Sequence, residues 1–161
     1  MIAARRRATL LAMVPAVVLA LTLTSAPASA AVTSTDTLEV QLAKLTNATR
    51  AQHGCKPVRG DARLRKAARA HTADMIRKNF FSHRGSDGSR FTTRAKRAGY
   101  TPALSENIAW GYRSANEVFT ALMKSPGHRR NILNCSAKAV GVGVGRKADG
   151  TLMWTQDFGR V

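Results

Sequence analysis

Leu38, Leu42, Leu45 and Thr49 recur at steps of three and four, the spacing that gathers side chains on one face of an α-helix. Asp36 or Thr37 is placed to cap the start and Gly54 the end, which predicts a first helix over roughly 37–53 with His53 exposed on its last turn. Asp61 is the next N-cap candidate, and Leu64, Ala68, His71 and Met75 form the inward stripe of a second helix reaching about Asn79. The stretch CKPVRG supplies the turn between the two helices, and FFSHRGSDGSRF ends the second in a loop holding two glycines. Phe91 to Ala98 predicts a short basic helix closed by Gly99. Ser114-Ala-Asn-Glu117 has the form of a capping box, opening a helix with Val118, Phe119, Leu122 and Met123 on its buried side. Ser125 as N-cap and Pro126 at the first helical position then start another short helix, with His128 near its beginning.

The period changes in the last third of the chain. AVGVGVG alternates valine and glycine, and TLMWTQDFG sets Leu152, Trp154, Gln156 and Phe158 against Met153, Thr155 and Asp157, so both read as strands. RKADG between them makes an antiparallel hairpin. The glycines of GVGVG are close-packed strand positions rather than a phosphate-cradling loop, which would need a helix immediately after it.

The first thirty residues stand apart. Arg5-Arg6-Arg7, an apolar run from about Ala8 to Leu23 interrupted by Pro15, and Ala28-Ser29-Ala30 form a secretory signal, with cleavage expected after Ala30. The run is short for a membrane span and nothing later approaches one, so a soluble, secreted, extracellular protein is expected. Residues 31–37 read as a flexible N-terminus and 38–161 as one domain. A monomer is the expected state.

The chain of 161 residues holds 26 Lys and Arg against nine Asp and Glu, a formal charge of +17; without the three signal arginines the figure is +14. Such a balance favours anionic polymers, membranes or envelope material as partners, with Arg94, Lys96, Arg97, Arg129 and Arg130 among the contacts. Basic residues lie all along the chain with few aromatics between them, which equally describes a solvated positive surface. The two cysteines, Cys55 and Cys135, pair in an oxidising setting as one long-range disulfide.

Candidate chemistry gathers in three short segments: Ser82-His83 after a helix, Ser105-Glu106-Asn107 ahead of one, and His128. Two imidazoles and a carboxylate make a divalent-metal site with an open position if the fold unites them. His128, close to a helix N-terminus, is held toward its neutral form. No H-E-x-x-H, Cys-x-x-Cys, G-x-S-x-G or Walker-type loop is present. His71 on its apolar stripe reads first as a core residue, and the bland alternative for the cluster is local capping and loop hydrogen bonds.

HTADM, FFSH, SENIAWG, SPGHRRNIL, GVGVG and WTQDFG, in that order, resemble the bacterial SCP-like branch of the CAP superfamily, which groups cysteine-rich secretory, antigen-five and plant pathogenesis-related proteins. The resemblance spans about residues 38–160. It implies an α+β fold, a three-layer α-β-α sandwich with a central antiparallel sheet, and a shallow cleft lined by histidines and acidic residues. It carries the first cleft histidine to His83 and the glutamate of a G-E-N motif, here S-E-N, to Glu106. A second eukaryotic glutamate falls near Ser125, and a His-Tyr-Thr-Gln motif becomes Met153-Trp154-Thr155-Gln156, without its histidine. His128 looks like the bacterial replacement; His71, Ser125 and Asn107 are supporting candidates around it.

Two main functions compete. One is a non-enzymatic extracellular module binding a small ligand, lipid or envelope component, with zinc or another divalent cation as a candidate cofactor held by His83, His128 and Glu106. The other is a metal-assisted, protease-like hydrolase with Glu106 as general base. A cationic binder of polyanions is a further alternative. No nucleophile stands beside a base in the sequence, so the reading leans away from an enzyme.

Overall fold

The computed structural model describes residues 33–161; the expected signal segment and its cleavage after Ala30 lie outside the described residues. In chain order the elements are α1 (Thr35–Gln52), β1 (Arg59–Gly60), α2 (Ala62–Arg77), α3 (Phe91–Arg97), β2 (Ala103–Trp110), α4 (Ala115–Lys124), α5 (Pro126–Ile132), β3 (Ala139–Arg146) and β4 (Leu152–Gly159). The strands form one sheet in the order β1-β3-β4-β2. The β3–β4 hairpin and the β2–β4 pair are antiparallel, whereas the two-residue β1 runs parallel to β3. That edge lies in CKPVRG, expected only as a turn. The chain passing from α1 to α2 is drawn along β3 by hydrogen bonds from Arg59 N to Lys138 O and from Asp61 N to Val140 O.

Alternation along β3 sets the two helical layers. Val140, Val142 and Val144 face one way and join Leu38, Leu42, Val118, Leu122, Ile132, Trp154 and Phe158 in the larger core, beneath α1, α4 and α5. The glycines between them face α2. A Cβ on Gly141 would sit 2.1 Å from the Leu64 carbonyl carbon, and one on Gly143 2.4 Å from that of Ala68. Only bare backbone lets a helix lie that close to a strand. Smaller clusters, Leu64, Ala95, Tyr100 and Ala139, then Met75, Ile108 and Met153, complete this second face. The architecture is the expected α+β sandwich of helix, sheet and helix layers.

Local signals explain most element ends. Asp61 accepts from the N–H groups of Arg63 and Leu64 and caps α2. Ser114 Oγ accepts from Glu117 N, while Glu117 Oε2 accepts from Arg113 N at 2.8 Å, one residue ahead of where a strict capping box would reach. α1 opens at Thr35 with Ser34 as its cap, so the loose segment expected to run to residue 37 ends earlier. Ser125 occupies the N-cap position of α5, yet its side chain makes no capping bond.

Two departures matter for the site. Ser105-Glu106-Asn107, expected ahead of a helix, lies inside β2. Glu106 and Asn107 are both buried, one on each face of a strand covered on both sides, and this hides the apolar alternation that marks a strand. The buried stripe of α1 continues through Thr46 and Arg50 instead of Leu45 and Thr49. Arg50, fully buried, donates to the carbonyls of Lys56, Ile132, Asn134 and Ala137 and ties the end of α1 to the turn after α5. The Cys55–Cys135 disulfide, spanning 80 residues, closes the same junction.

Candidate functional site

The site lies along the outer edge of β2, where the loop after α2 and the first turn of α5 meet. Residue alternation sends Glu106, Ile108 and Trp110 toward the α2–α3 face and Asn107 and Ala109 toward α1, α4 and α5. An irregularity between Ala103 and Ser105 shifts the register so that Glu106 stands opposite Asp157 of β4. Glu106 is 5 % exposed and Asp157 1 %.

His83 and Glu106, two of the three expected cleft residues, are brought together: His83 Nδ1–H donates to Glu106 Oε1 at 2.8 Å. Arg94 of α3 donates from Nη2 to Glu106 Oε2 at 2.5 Å and from Nη1 to the carbonyls of His83 and Ser89. Both carboxylate oxygens are therefore engaged, and the arginine fixes the loop as well as the charge. Burial pushes the Glu106 carboxyl up, but the hydrogen bond from His83 and the positive charge of Arg94 outweigh it and leave the group below its ordinary range. Complete burial, with the Glu106 charge second, pushes Asp157 well above that range, against the pull of Arg94. The pair thus keeps its negative charge on Glu106 and its proton on Asp157.

His128 forms no direct bond with either partner. Burial, then the proximity of His83, holds its ring toward the neutral form. Asn107 Nδ2 reaches the His128 carbonyl at 3.4 Å and Gln156 Oε1 at 3.0 Å, and Asn107 Oδ1 accepts from Asn131 Nδ2 at 2.8 Å. Gln156 continues to Thr46 Oγ1, giving a buried polar chain from α5 through β2 and β4 to α1. His71 is buried; its Nε2–H donates to the Ser82 carbonyl at 2.9 Å and so anchors the residue before His83. Desolvation keeps that ring toward its neutral form. Ser125 and His128 line a groove of 260 Å³ together with Phe81, Ile108, Trp110 and Tyr112.

Sequence reasoning missed Arg94 and Asp157 as parts of this site. Arg94 and Arg97, expected as polyanion contacts, are committed to Glu106 and Asp87, while Lys96, Arg129 and Arg130 form no ion pair among the described residues. Glu106 stands behind His83, not beside it as a third donor. Among the described residues no three His, Cys, Asp or Glu side chains converge at metal-holding distance. What the edge offers an ion is two imidazoles, His83 through Nε2 and His128, with Glu106 orienting the first from behind. No serine, threonine or cysteine side chain is hydrogen-bonded to an imidazole among the described residues.

Two helical layers over this sheet, with a histidine–glutamate pair at the β2 edge, define a class of protein before any relative is considered. The chain belongs to the cysteine-rich secretory protein (CAP) family, whose model matches residues 43–158. It is 38 % identical over 146 residues to the uncharacterized protein YkwD of Bacillus subtilis (strain 168), covering 85 % of this chain and 56 % of that one. The uncharacterized membrane protein YlbC of the same organism is 32 % identical over 123 residues, covering 76 % and 34 %. The chain thus spans about half or less of the curated relatives it matches. A crystal structure of an extracellular protein containing an SCP domain from Bacillus anthracis superposes with a TM-score of 0.72 at 30 % identity, covering 78 % of this chain and 41 % of that one. An outer surface protein of Borrelia burgdorferi, at 19 % identity, shares the fold with a TM-score of 0.68 over 74 % of this chain and 89 % of that one.

Proposed function

We propose that this CAP domain is an exported, non-catalytic binding module that seats a ligand with an apolar portion in the groove along the β2 edge, beside the His83 and His128 imidazoles. One observation carries the reading: Trp110 and Phe81, 59 % and 46 % exposed, are two of the four exposed large hydrophobic side chains among the described residues, and both line that groove with His128. Aromatic rings left in water around a concave surface favour apolar contact, and nearby polar groups orient what binds. The Cys55–Cys135 disulfide supports export, as does the basic and apolar N-terminal sequence. Against turnover stands the chemistry of the pair: Glu106 is buried, ion-paired with Arg94 and bonded to His83, which lowers its basicity toward a substrate proton. A divalent ion bound by His83 and His128 would add a Lewis-acidic contact for a polar ligand group.

The test is a fluorescence titration with the neutral probe N-phenyl-1-naphthylamine, comparing the wild type with Trp110→Ala, Phe81→Ala and, as a control at a distant exposed apolar residue, Val40→Ala. Saturable binding weakened about tenfold or more by the first two changes and untouched by the third supports the groove. Equal binding by all four proteins overturns it.

A further inference from the structure

Each of the nine acidic residues of the chain is engaged elsewhere, and none lines the hollow at one corner of the molecule. Asp36 and Glu39 engage Arg69, Asp61 engages Arg59 and Arg63, Asp74 engages Arg77, Asp87 engages Arg97 and Glu106 engages Arg94. Glu117 accepts from the Arg113 N–H, Asp149 from the Thr151 N–H, and Asp157 is buried beside Glu106. Residues 118–148 contain no acidic side chain and six Lys or Arg. Where α4 gives way to α5, three of these cations, Lys124, Arg129 and Arg130, line a hollow of 650 Å³ whose other walls are Met123, Pro126 and Leu133. All three are exposed and form no ion pair among the described residues. Arg129 is also held in place: Nη2 lies 3.4 Å from His53 Nε2, which is free to accept because His53 Nδ1 donates to Thr49 O at 2.9 Å.

We propose that this corner docks a linear polyanion in which phosphodiesters alternate with short carbon spacers. Phosphates meet the three cations while the methylene groups lie on Met123, Pro126 and Leu133. Charge complementarity selects the anion, since among the described residues none of the three cations is ion-paired and the one acid nearby, Glu117, which lines the adjoining hollow with Lys124, already accepts from the Arg113 N–H. The apolar floor selects spacers over a bare phosphate chain. A bilayer surface is disfavoured because the exposed large hydrophobics are Val40, Phe81, Trp110 and Val161, none of which lines this hollow, so nothing there inserts between lipids. The corner is separate from the β2-edge groove, and its occupancy does not depend on the ligand proposed for that groove.

The experiment measures binding of synthetic poly(glycerol phosphate) as a function of sodium chloride. It compares the wild type with the triple variant Lys124→Gln/Arg129→Gln/Arg130→Gln and with Arg65→Gln/Lys66→Gln/Lys78→Gln, which removes the same charge from α2 and its end. Loss of three phosphate contacts lowers the magnitude of the log K against log salt slope by about 2 and weakens low-salt binding about tenfold or more in the corner variant. The α2 variant changes by less than about threefold. Equal losses in both variants overturn the proposal in favour of diffuse surface charge. Corner-dependent binding to phosphatidylglycerol vesicles without binding to the polymer overturns it in favour of a membrane. Circular dichroism and melting of both variants separate lost contacts from lost folding.

Discussion

Glu106 and Asp157 face one another across neighbouring strands, and the structure allows only one of them to be charged. Arg94 and His83 decide which. Both bond to Glu106, leaving Asp157 enclosed, with Oδ1 lacking a partner.

The two carboxyls bend the pH dependence of stability in opposite directions. Glu106 is depressed in the folded state, so its contribution is present above the ordinary glutamate range and is lost as pH falls through its folded value. Asp157 is raised, so its contribution is complete below the ordinary aspartate range and declines as pH rises toward its folded value. The isosteric Asp157→Asn keeps the neutral form at every pH. Its melting temperature should match the wild type near pH 3 and exceed it at pH 8. A variant that loses stability equally at both pH values contradicts the assignment of the proton.

Zinc titration by calorimetry on metal-stripped protein separates a ligand from a supporting group. His83→Ala and His128→Ala should each remove the binding. Glu106→Gln should weaken it about 10- to 100-fold, the effect of losing a carboxylate behind a ligating imidazole. Wild-type affinity in both histidine variants would exclude the imidazole pair as the site.

Gly143→Ala tests the close approach of α2. The new methyl would meet backbone of Ala68 and Arg69 at 2.4 Å, a contact that neither a rotamer change nor a flexible chain end relieves. Destabilisation of about 1–3 kcal/mol or more is expected in urea unfolding. Gly60→Ala, where no atom lies within 4 Å, should change stability by less than about 1 kcal/mol. Equal effects would show that conformational freedom rather than contact sets the cost.

Arg50→Met removes the donor shared by four carbonyls while retaining much of the apolar stem. Loss of about 3–5 kcal/mol is expected, read as a fall in melting temperature. Arg50→Lys should recover little, because a single ammonium cannot span carbonyls from three segments. Full rescue by lysine would indicate that charge alone matters at this position.

α1, α2 and α4 were legible through apolar residues at helical spacing, whereas α3 and α5, neither of which has a side-chain capping bond, were marked by the bounding Gly99 and by Pro126. The hairpin was legible through its period of two, and the glycines of β3 could be read correctly because no helix follows them. β2 was not, since its centre is Glu106-Asn107, polar on both faces. The pairing of His83 with Glu106 came from resemblance: 23 residues separate them, and nothing in their local patterns brings them together. Arg94 looked like one more surface cation. Its spacing from Phe91, with Ala95 next to it on the buried side of α3, was the available signal that it turns inward. Asp157 also had a signal: in a strand sandwiched by helices no position faces water, so an acid inside WTQDFG must be enclosed.

The covalent bridge between Cys55 and Cys135 and the guanidinium of Arg50 fasten the same joint, the one from which α5 carries His128 toward the groove and Arg129 and Arg130 toward the cationic corner. The two surfaces proposed above therefore hang on a single hinge pin. Opening that junction, by reducing the disulfide or by replacing Arg50, is expected to disturb the edge groove and the cationic corner together, although the burial of Ile132 still seats α5 on the core.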